Sequence, residues 1–458
     1  MSEISPLIFR QYDIRGTVGQ DLTPEVAEQV GRALGTMVIR QGGKAVAAGR
    51  DNRLSSPELH TAVVQGLLEA GVDVLDTGLH PTPVLYFALF ALPVQGGVQV
   101  TGSHNPPEMN GFKVALGRTT LYGAQIQELY HLIRRGDLER GRGRRTPQEI
   151  VPAYLAAIRE RITLERPLRV VVDAGNGTAG PLVPGLLEDL GCQVQPLYCE
   201  LDGRFPHHHP DPTVVEALRD LVAQVRESRA DVGLAYDGDA DRLGVVDDRG
   251  EIVWGDRLLA LFAREVLARH PGAPIIFEVK CSQALVEEVE ARGGRPIMWQ
   301  TGHSLIKEKM RQEGAPLAGE MSGHLFFADE YFGYDDAIYA SCRLLRLLSR
   351  QEEPLSALLA TIPSYPSTPE TRIFCPDEVK FRLVQEVGDE FRRHYPTVDV
   401  DGVRVLFGDG WGLLRASNTQ PVLVLRFEAR TPERLEEIRR LFIERLRRYP
   451  EVRLPDER

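Results

Sequence analysis

One local pattern recurs three times in this chain: a short apolar strand, a turn, an amphipathic helix, a glycine and a second apolar strand. It spans Ala45 to Asp76, Arg169 to Leu197 and Pro274 to Trp299. The helical stretches carry Leu67 and Leu68, then Leu186, Leu187 and Leu190, then Leu285, Val286 and Val289. A crossover of this length joins strands that lie parallel in one sheet. The chain has 458 residues, too many for one core at roughly 100 to 200 residues per domain. Three similar α/β domains with mixed sheets follow.

The pattern changes after Glu370. TRIFCP, a helix from Lys380 to His394, VDVDGVRVLFG, WGLLRASNTQPVLVLRFEAR and a charged helix from Pro432 to Tyr449 succeed one another with short turns. Such an order predicts an antiparallel α+β domain. The basic, turn-rich stretch 141–150 and the proline-broken stretch 352–370 read as linkers, with a weaker boundary near Arg249-Gly250. The predicted domains are therefore 1–148, 149–252, 253–366 and 367–458.

A net charge of −11 argues against a general nucleic-acid binder. No apolar run approaches the roughly 20 residues of a membrane helix, and the first residues lack a signal-peptide pattern. A cytoplasmic protein with no membrane partner is the expectation. Cys192, Cys199, Cys281, Cys342 and Cys375 are scattered without close pairs, so buried free thiols are predicted.

Chemistry concentrates in loops. VQVTGSHNPPEMNGFK, residues 98–113, ends an apolar strand in Ser103, beside the side-chain-free Gly102 and His104. A serine at a strand end is predicted to stand clear for reaction, but its hydroxyl needs a base, a metal or an attached phosphate. Lys113 closes the same loop, in a chain whose other lysines are Lys44, Lys280, Lys307, Lys309 and Lys380. Arginine supplies plain positive charge but cannot give up its proton, so a lysine kept beside a reactive loop points to chemistry. Lys44 and Lys380 read as surface lysines.

In VGLAYDGDADR, Asp237, Asp239 and Asp241 alternate with small residues. Extended backbone would put all three carboxylates on one face, where a pair at 4 Å repels by about 4 kcal/mol at an effective dielectric near 20. A divalent cation resolves that conflict, and oxygen ligands favour Mg²⁺ or Mn²⁺. In LAGEMSGH, Glu320, Ser322 and His324 alternate likewise, a set suited to sugar hydroxyls or proton transfer. Lys280 and His303 lie in nearby segments as further contacts, and Arg415, Ser417, Asn418 and Thr419 form a turn able to cradle phosphate oxygens. Near the start, FRQYDIRG sets Tyr12 and Arg15 before a glycine turn, with Arg15 expected at the loop tip. His207, His208 and His209 cannot share one face of a strand and read as a loop.

TGSHNPPEMNGFK, DGDADR, GEMSGH and RASNTQP, with FRQYDIRG, resemble in order and interval the α-D-phosphohexomutase superfamily, in its bacterial phosphomannomutase/phosphoglucomutase branch. The resemblance implies four domains around a central cleft and a phosphoserine at Ser103. It implies Mg²⁺ held by Ser103, Asp237, Asp239 and Asp241, with a hexose 1,6-bisphosphate as intermediate and activator. Glu320 and Ser322 would grip sugar hydroxyls, and Arg415, Ser417, Asn418 and Thr419 the unreactive phosphate. Arg15, Lys113, Arg242, His303 and His324 would line the cleft, with Lys113 and His324 as proton-transfer groups; His104 is placed with the catalytic set, and Tyr12 and Lys280 with the substrate contacts. The family more often has alanine at the position of Gly102. The implied partners are sugar phosphates, for a monomer or homodimer. Phosphoglucosamine mutase is the runner-up, followed by a metal-dependent sugar phosphatase and a non-catalytic sugar-phosphate sensor. The last has no use for a serine beside three aspartates.

Overall fold

The structure, a computed structural model, describes residues 4–417 and 420–454. All three repeats form as read. Ala45–Arg50 and Asp73–Leu79 pair in parallel across the helix Ser56–Ala70, which stops where Gly71 adopts a φ of 104°. Arg169–Asp173 and Gln193–Leu197 pair across Val183–Asp189. Pro274–Glu278 and Arg295–Trp299 pair across Gln283–Ala291, a helix whose Ser282 cap accepts from the Ala284 amide at 3.1 Å.

Antiparallel additions make each of these sheets mixed. The first sheet runs Ile14–Thr17, Met109–Leu116, Gly96–Val100, Ala45–Arg50, Asp73–Leu79, Arg145–Pro147, with Thr119–Thr120 also on Met109–Leu116. The second runs Ile252–Val253, Leu243–Val246, Val232–Tyr236, Arg169–Asp173, Gln193–Leu197. The third runs Arg295–Trp299, Pro274–Glu278, Leu317–Gly319, Leu325–Phe327. The fourth is antiparallel throughout: Thr371–Phe374, Val422–Ala429, Gly410–Ala416, Val403–Leu406, Thr397–Val398. Its helices Asp377–Arg392 and Pro432–Leu446 meet where Phe391 stacks on Phe442 at 4.4 Å.

Two expected linkers carry regular structure. Within 141–150, Arg145–Pro147 adds a parallel edge strand, because Asp73–Leu79 leaves its ladder open on that side. Within 352–370, Leu355–Ala360 is helical, since Pro354 stands at the N-cap where a missing N–H costs nothing. Lys380 is also not a surface residue. It is 2% exposed, and its ammonium bonds Asp377 and the Gln420 carbonyl.

One apolar cluster spans the first three domains, while the first domain also packs a separate core on the helices Pro24–Arg40 and Ser56–Ala70. The helix Thr82–Ala91 carries Val84, Leu85 and Phe87 into a cluster with Tyr154, Val172, Leu258, Phe277 and Phe327. The fourth domain has its own core and meets the third through a small patch of Val279, Trp411 and Leu413. All five cysteines are free, with Cys199 half-buried and the others buried. Among the described residues no helix is long and apolar enough to cross a membrane.

Candidate active site

Five of the candidate loops leave the carboxyl end of a sheet strand, the end at which open α/β sheets such as the first three bind their ligands. Ser103 follows Gly96–Val100, Asp237 follows Val232–Tyr236, Lys280 follows Pro274–Glu278, Glu320 follows Leu317–Gly319 and Ser417 follows Gly410–Ala416.

Ser103 does not stand clear. It is 2% exposed, at a φ of 48°, because the aspartate loop of the second domain lies over it. Its hydroxyl donates to Asp237 Oδ2 at 2.7 Å and lies 3.0 Å from His104 Nδ1. Asp237, Asp239 and Asp241 are fully buried, and each offers one carboxylate oxygen that lies within 4.8 Å of those of the other two. Extended alternation is not what gathers them. The chain turns tightly at 237–241, with Ala240 at a φ of 58°, and the Asp237 carboxylate accepts from the amides of Asp241 and Arg242.

The Lys113 ammonium reaches Asp239 Oδ2 at 2.8 Å and also pairs with Asp241. Thr82 and Thr101 donate to the same Asp239 oxygen at 2.6 and 3.1 Å. Burial, then the neighbouring Asp241 and Asp239, push the Asp237 carboxyl well above its usual range. Burial acts the same way on Asp241, but the Lys113 ammonium outweighs it and holds that group low. Burial would lower the Lys113 ammonium, yet Asp239 and Asp241 leave it above its ordinary value. Asp239 Oδ1 and Asp241 Oδ1 have no hydrogen-bond partner among the described residues. An oxygen-only set with orphaned buried lone pairs suits a hard divalent cation.

Around this centre the other loops converge. Arg15 pairs with Asp13 and donates to Asn105 Oδ1 at 3.1 Å. It lies within the strand Ile14–Thr17, not at a loop tip, because that strand pairs with Met109–Leu116 and so faces the serine loop. Arg242 Nε donates to His324 Nε2 at 3.0 Å. Burial, then Arg242 and Arg15, keep His104 well below the usual imidazole range; burial and Lys307 do the same for His303.

Glu320 and Ser322 also meet through a turn, not a strand, with Gly323 at a φ of 95°. The Glu320 carboxylate accepts from the Gly302 amide at 2.6 Å and from Ser322 Oγ at 3.1 Å. Tyr12 packs edge-on to His303, centroids 5.5 Å apart. Lys280 pairs with Glu370 at 2.8 Å and Glu278 at 3.5 Å. Arg415 pairs with Asp401 at 3.0 Å and lies near enough to Glu278 to feel its charge. The Ser417 hydroxyl accepts from the Gln420 amide at 3.1 Å, while Asn418 and Thr419 lie outside the described residues.

Four family models match in succession. The phosphoglucomutase/phosphomannomutase α/β/α domains I, II and III match residues 6–140, 152–250 and 254–365, and the C-terminal domain of the same family matches 370–445. The chain belongs to the phosphoglucomutase/phosphomannomutase family. It is 51% identical over 441 residues to the phosphomannomutase/phosphoglucomutase of Pseudomonas aeruginosa, covering 96% of this chain and 95% of that one. The phosphoglucomutase of Neisseria gonorrhoeae is 45% identical over 447 residues, covering 96% and 97%. A crystal structure of a phosphoglucomutase/phosphomannomutase family protein from Burkholderia thailandensis superposes with a TM-score of 0.93 at 47% identity, covering 99% of this chain and 100% of that one.

Several residues of the candidate site in this family member were not singled out from the sequence. Asp335 joins Lys307 at 2.8 Å, His324 at 3.3 Å and His303 at 3.6 Å. Asp401 accepts from the Thr301 amide at 3.1 Å as well as from Arg415. His209, from the histidine loop, bonds the His104 carbonyl. The one available sequence signal was the acidic pair Asp335-Asp336 between apolar segments, where a lone charge needs a partner.

Proposed function

We propose that this phosphohexomutase interconverts hexose 1-phosphates and hexose 6-phosphates of mannose and glucose, with Ser103 as the phosphoryl carrier. The observation that carries this reading is the 2.7 Å hydrogen bond from Ser103 Oγ to Asp237, which puts a hydroxyl of the first domain against the carboxylate cluster of the second.

In the first half-reaction the bond from phosphorus to Ser103 Oγ breaks and one to the free sugar hydroxyl forms. On this reading His324 takes that hydroxyl's proton and returns it, while Lys113, kept a cation by Asp239 and Asp241, supports the transfer with positive charge. The product is a hexose 1,6-bisphosphate, which turns end for end and gives its other phosphoryl group back to Ser103. Mg²⁺, held by Asp237, Asp239, Asp241 and a Ser103 oxygen, would offset charge on the transferring phosphoryl. Arg15 and Arg242 add fixed positive charge beside it. Glu320 and Ser322 would hold sugar hydroxyls in either orientation, and Arg415 with Ser417, Asn418 and Thr419 the phosphate that is not reacting. Lys280, Tyr12 and His303 complete the sugar-phosphate wall, and His104 sits against the carrier oxygen. The narrow apolar contact of the fourth domain suits it to close over substrate and exclude water that would hydrolyse the phosphoserine.

A coupled assay with mannose 1-phosphate and glucose 1-phosphate tests this. Turnover that depends on a bisphosphate activator is expected, and release of inorganic phosphate in place of hexose 6-phosphate would refute it.

A further inference from the structure

We propose that Arg53 is the positioning residue that holds the Ser103 loop in its reactive conformation. The proposal rests on Ser103 being the phosphoryl carrier.

A serine at a φ of 48° occupies the left-handed region, where a residue other than glycine is strained and persists only when its surroundings over-determine it. The chief of those surroundings is Arg53. Its side chain is 1% exposed, and its two terminal nitrogens donate to four backbone carbonyls of the loop. These are Ser103 at 2.7 Å, Asn105 at 2.6 Å, Pro106 at 2.8 Å and Met109 at 3.1 Å. One planar guanidinium therefore fixes the direction of four peptide units around the serine, which no other side chain can do.

The counterion is shared with the loop. Asp51 Oδ2 lies 3.4 Å from Arg53 Nε and accepts from the Gly102 amide at 3.1 Å, while Thr101 Oγ1 accepts from the Ser103 amide at 2.9 Å. Phe205 of the second domain covers the guanidinium at 5.2 Å, so the anchor is sealed from water. Gly102 leaves room for it. A Cβ there would stand 2.4 Å from Arg53 Nε and 2.5 Å from Cζ, so any side chain at 102 must displace the guanidinium. Arg53 does not reach the substrate site itself; it acts through the backbone of residues 103–109.

The test compares Arg53→Lys and Arg53→Met with the wild type in the full-length enzyme. A displacement of the carrier by about 1 Å can cost 100-fold in rate. We expect kcat to fall by about that factor in both variants with KM within about twofold, since the sugar grips lie on other loops. The ³¹P resonance of the phosphorylated serine should broaden or split as the loop samples several conformations. Lysine keeps the charge but not the four bonds. If Arg53→Met does not fold, Arg53→Lys carries the comparison. A kcat within threefold of wild type in a folded Arg53 variant, or a loss expressed in KM alone, overturns the proposal. Phosphate found on a residue other than Ser103 in the wild type would instead overturn the carrier assignment, so the two failures are distinct.

Discussion

Arg242 Nε donates to His324 Nε2 at 3.0 Å, and this contact sets which nitrogen of the imidazole holds the proton. A guanidinium has only donors, so Nε2 must accept and Nδ1 carries the hydrogen. Nδ1 lies 3.3 Å from Asp335 and 3.7 Å from Asp241. The basic lone pair thus faces the arginine side of the cleft, where a sugar hydroxyl can compete for it.

His324→Asn should therefore lower kcat by about 10²–10⁴-fold, the range for loss of a general acid or base, with little change in KM. Steady-state kinetics with glucose 1-phosphate checks this. An unchanged kcat would rule His324 out as the proton carrier.

Lys113 offsets two buried carboxylates at once. Lys113→Met leaves Asp239 and Asp241 without that cation, and removing one partner of a buried charge pair costs about 3–5 kcal/mol. We expect a large loss of thermal stability in chelator, and a rise in Tm on adding Mg²⁺ that exceeds the wild-type rise, because the ion replaces the lost charge. Equal shifts in the two proteins would separate Lys113 from the cation site.

Histidine 208 links stability to pH. Burial would lower its pKa, but the bond to Asp173 at 3.0 Å and that carboxylate's charge leave it raised. The folded protein then binds this proton more tightly than the unfolded chain does. The resulting stability is fully present below about pH 6.5, the unperturbed value, and is lost as pH rises through the folded pKa. The difference in urea midpoint between wild type and His208→Gln should shrink from pH 6 to pH 8.5, and a difference that grows over that interval would contradict the linkage.

Trp411 joins the fourth domain to the third. It is 2% exposed, donates to Glu428 at 2.8 Å and lies under the Arg404 guanidinium at 3.7 Å, which itself bonds the carbonyls of Val279 and Cys281. Trp411→Ala should cost about 3–5 kcal/mol of stability. With the loop that follows Gly410–Ala416 less firmly docked, KM should rise more than kcat falls if that loop grips phosphate as proposed, and limited proteolysis should cut first at the boundary near Glu370. Cutting elsewhere with KM unaltered would show the patch does not steady that loop.

How much of this could be read from the sequence depended on range. The strand–helix–strand repeats were legible because their pattern lies within some thirty residues, and all three formed parallel pairs. The four signature loops were legible as motifs, but their local shape was not. Asp237, Asp239 and Asp241 alternate in sequence as an extended segment would, yet Ala240 turns the backbone at a φ of 58° and a turn gathers them instead. Arg145–Pro147 read as linker because its partner strand lies some seventy residues earlier. Lys380 read as a surface residue because nothing nearby announces the Gln420 carbonyl that it binds. Asp335 and Arg53 owe their places to partners from distant segments, which periodicity and spacing do not encode.

The most direct test of the central claim is to phosphorylate the enzyme with glucose 1,6-bisphosphate, locate the phosphate by mass spectrometry, and chase it with glucose 1-phosphate. The account requires the phosphate on Ser103, its transfer to sugar at a rate no slower than kcat, and neither labelling nor turnover in Ser103→Ala. Sustained turnover in that variant, or phosphate on any other side chain, would contradict it.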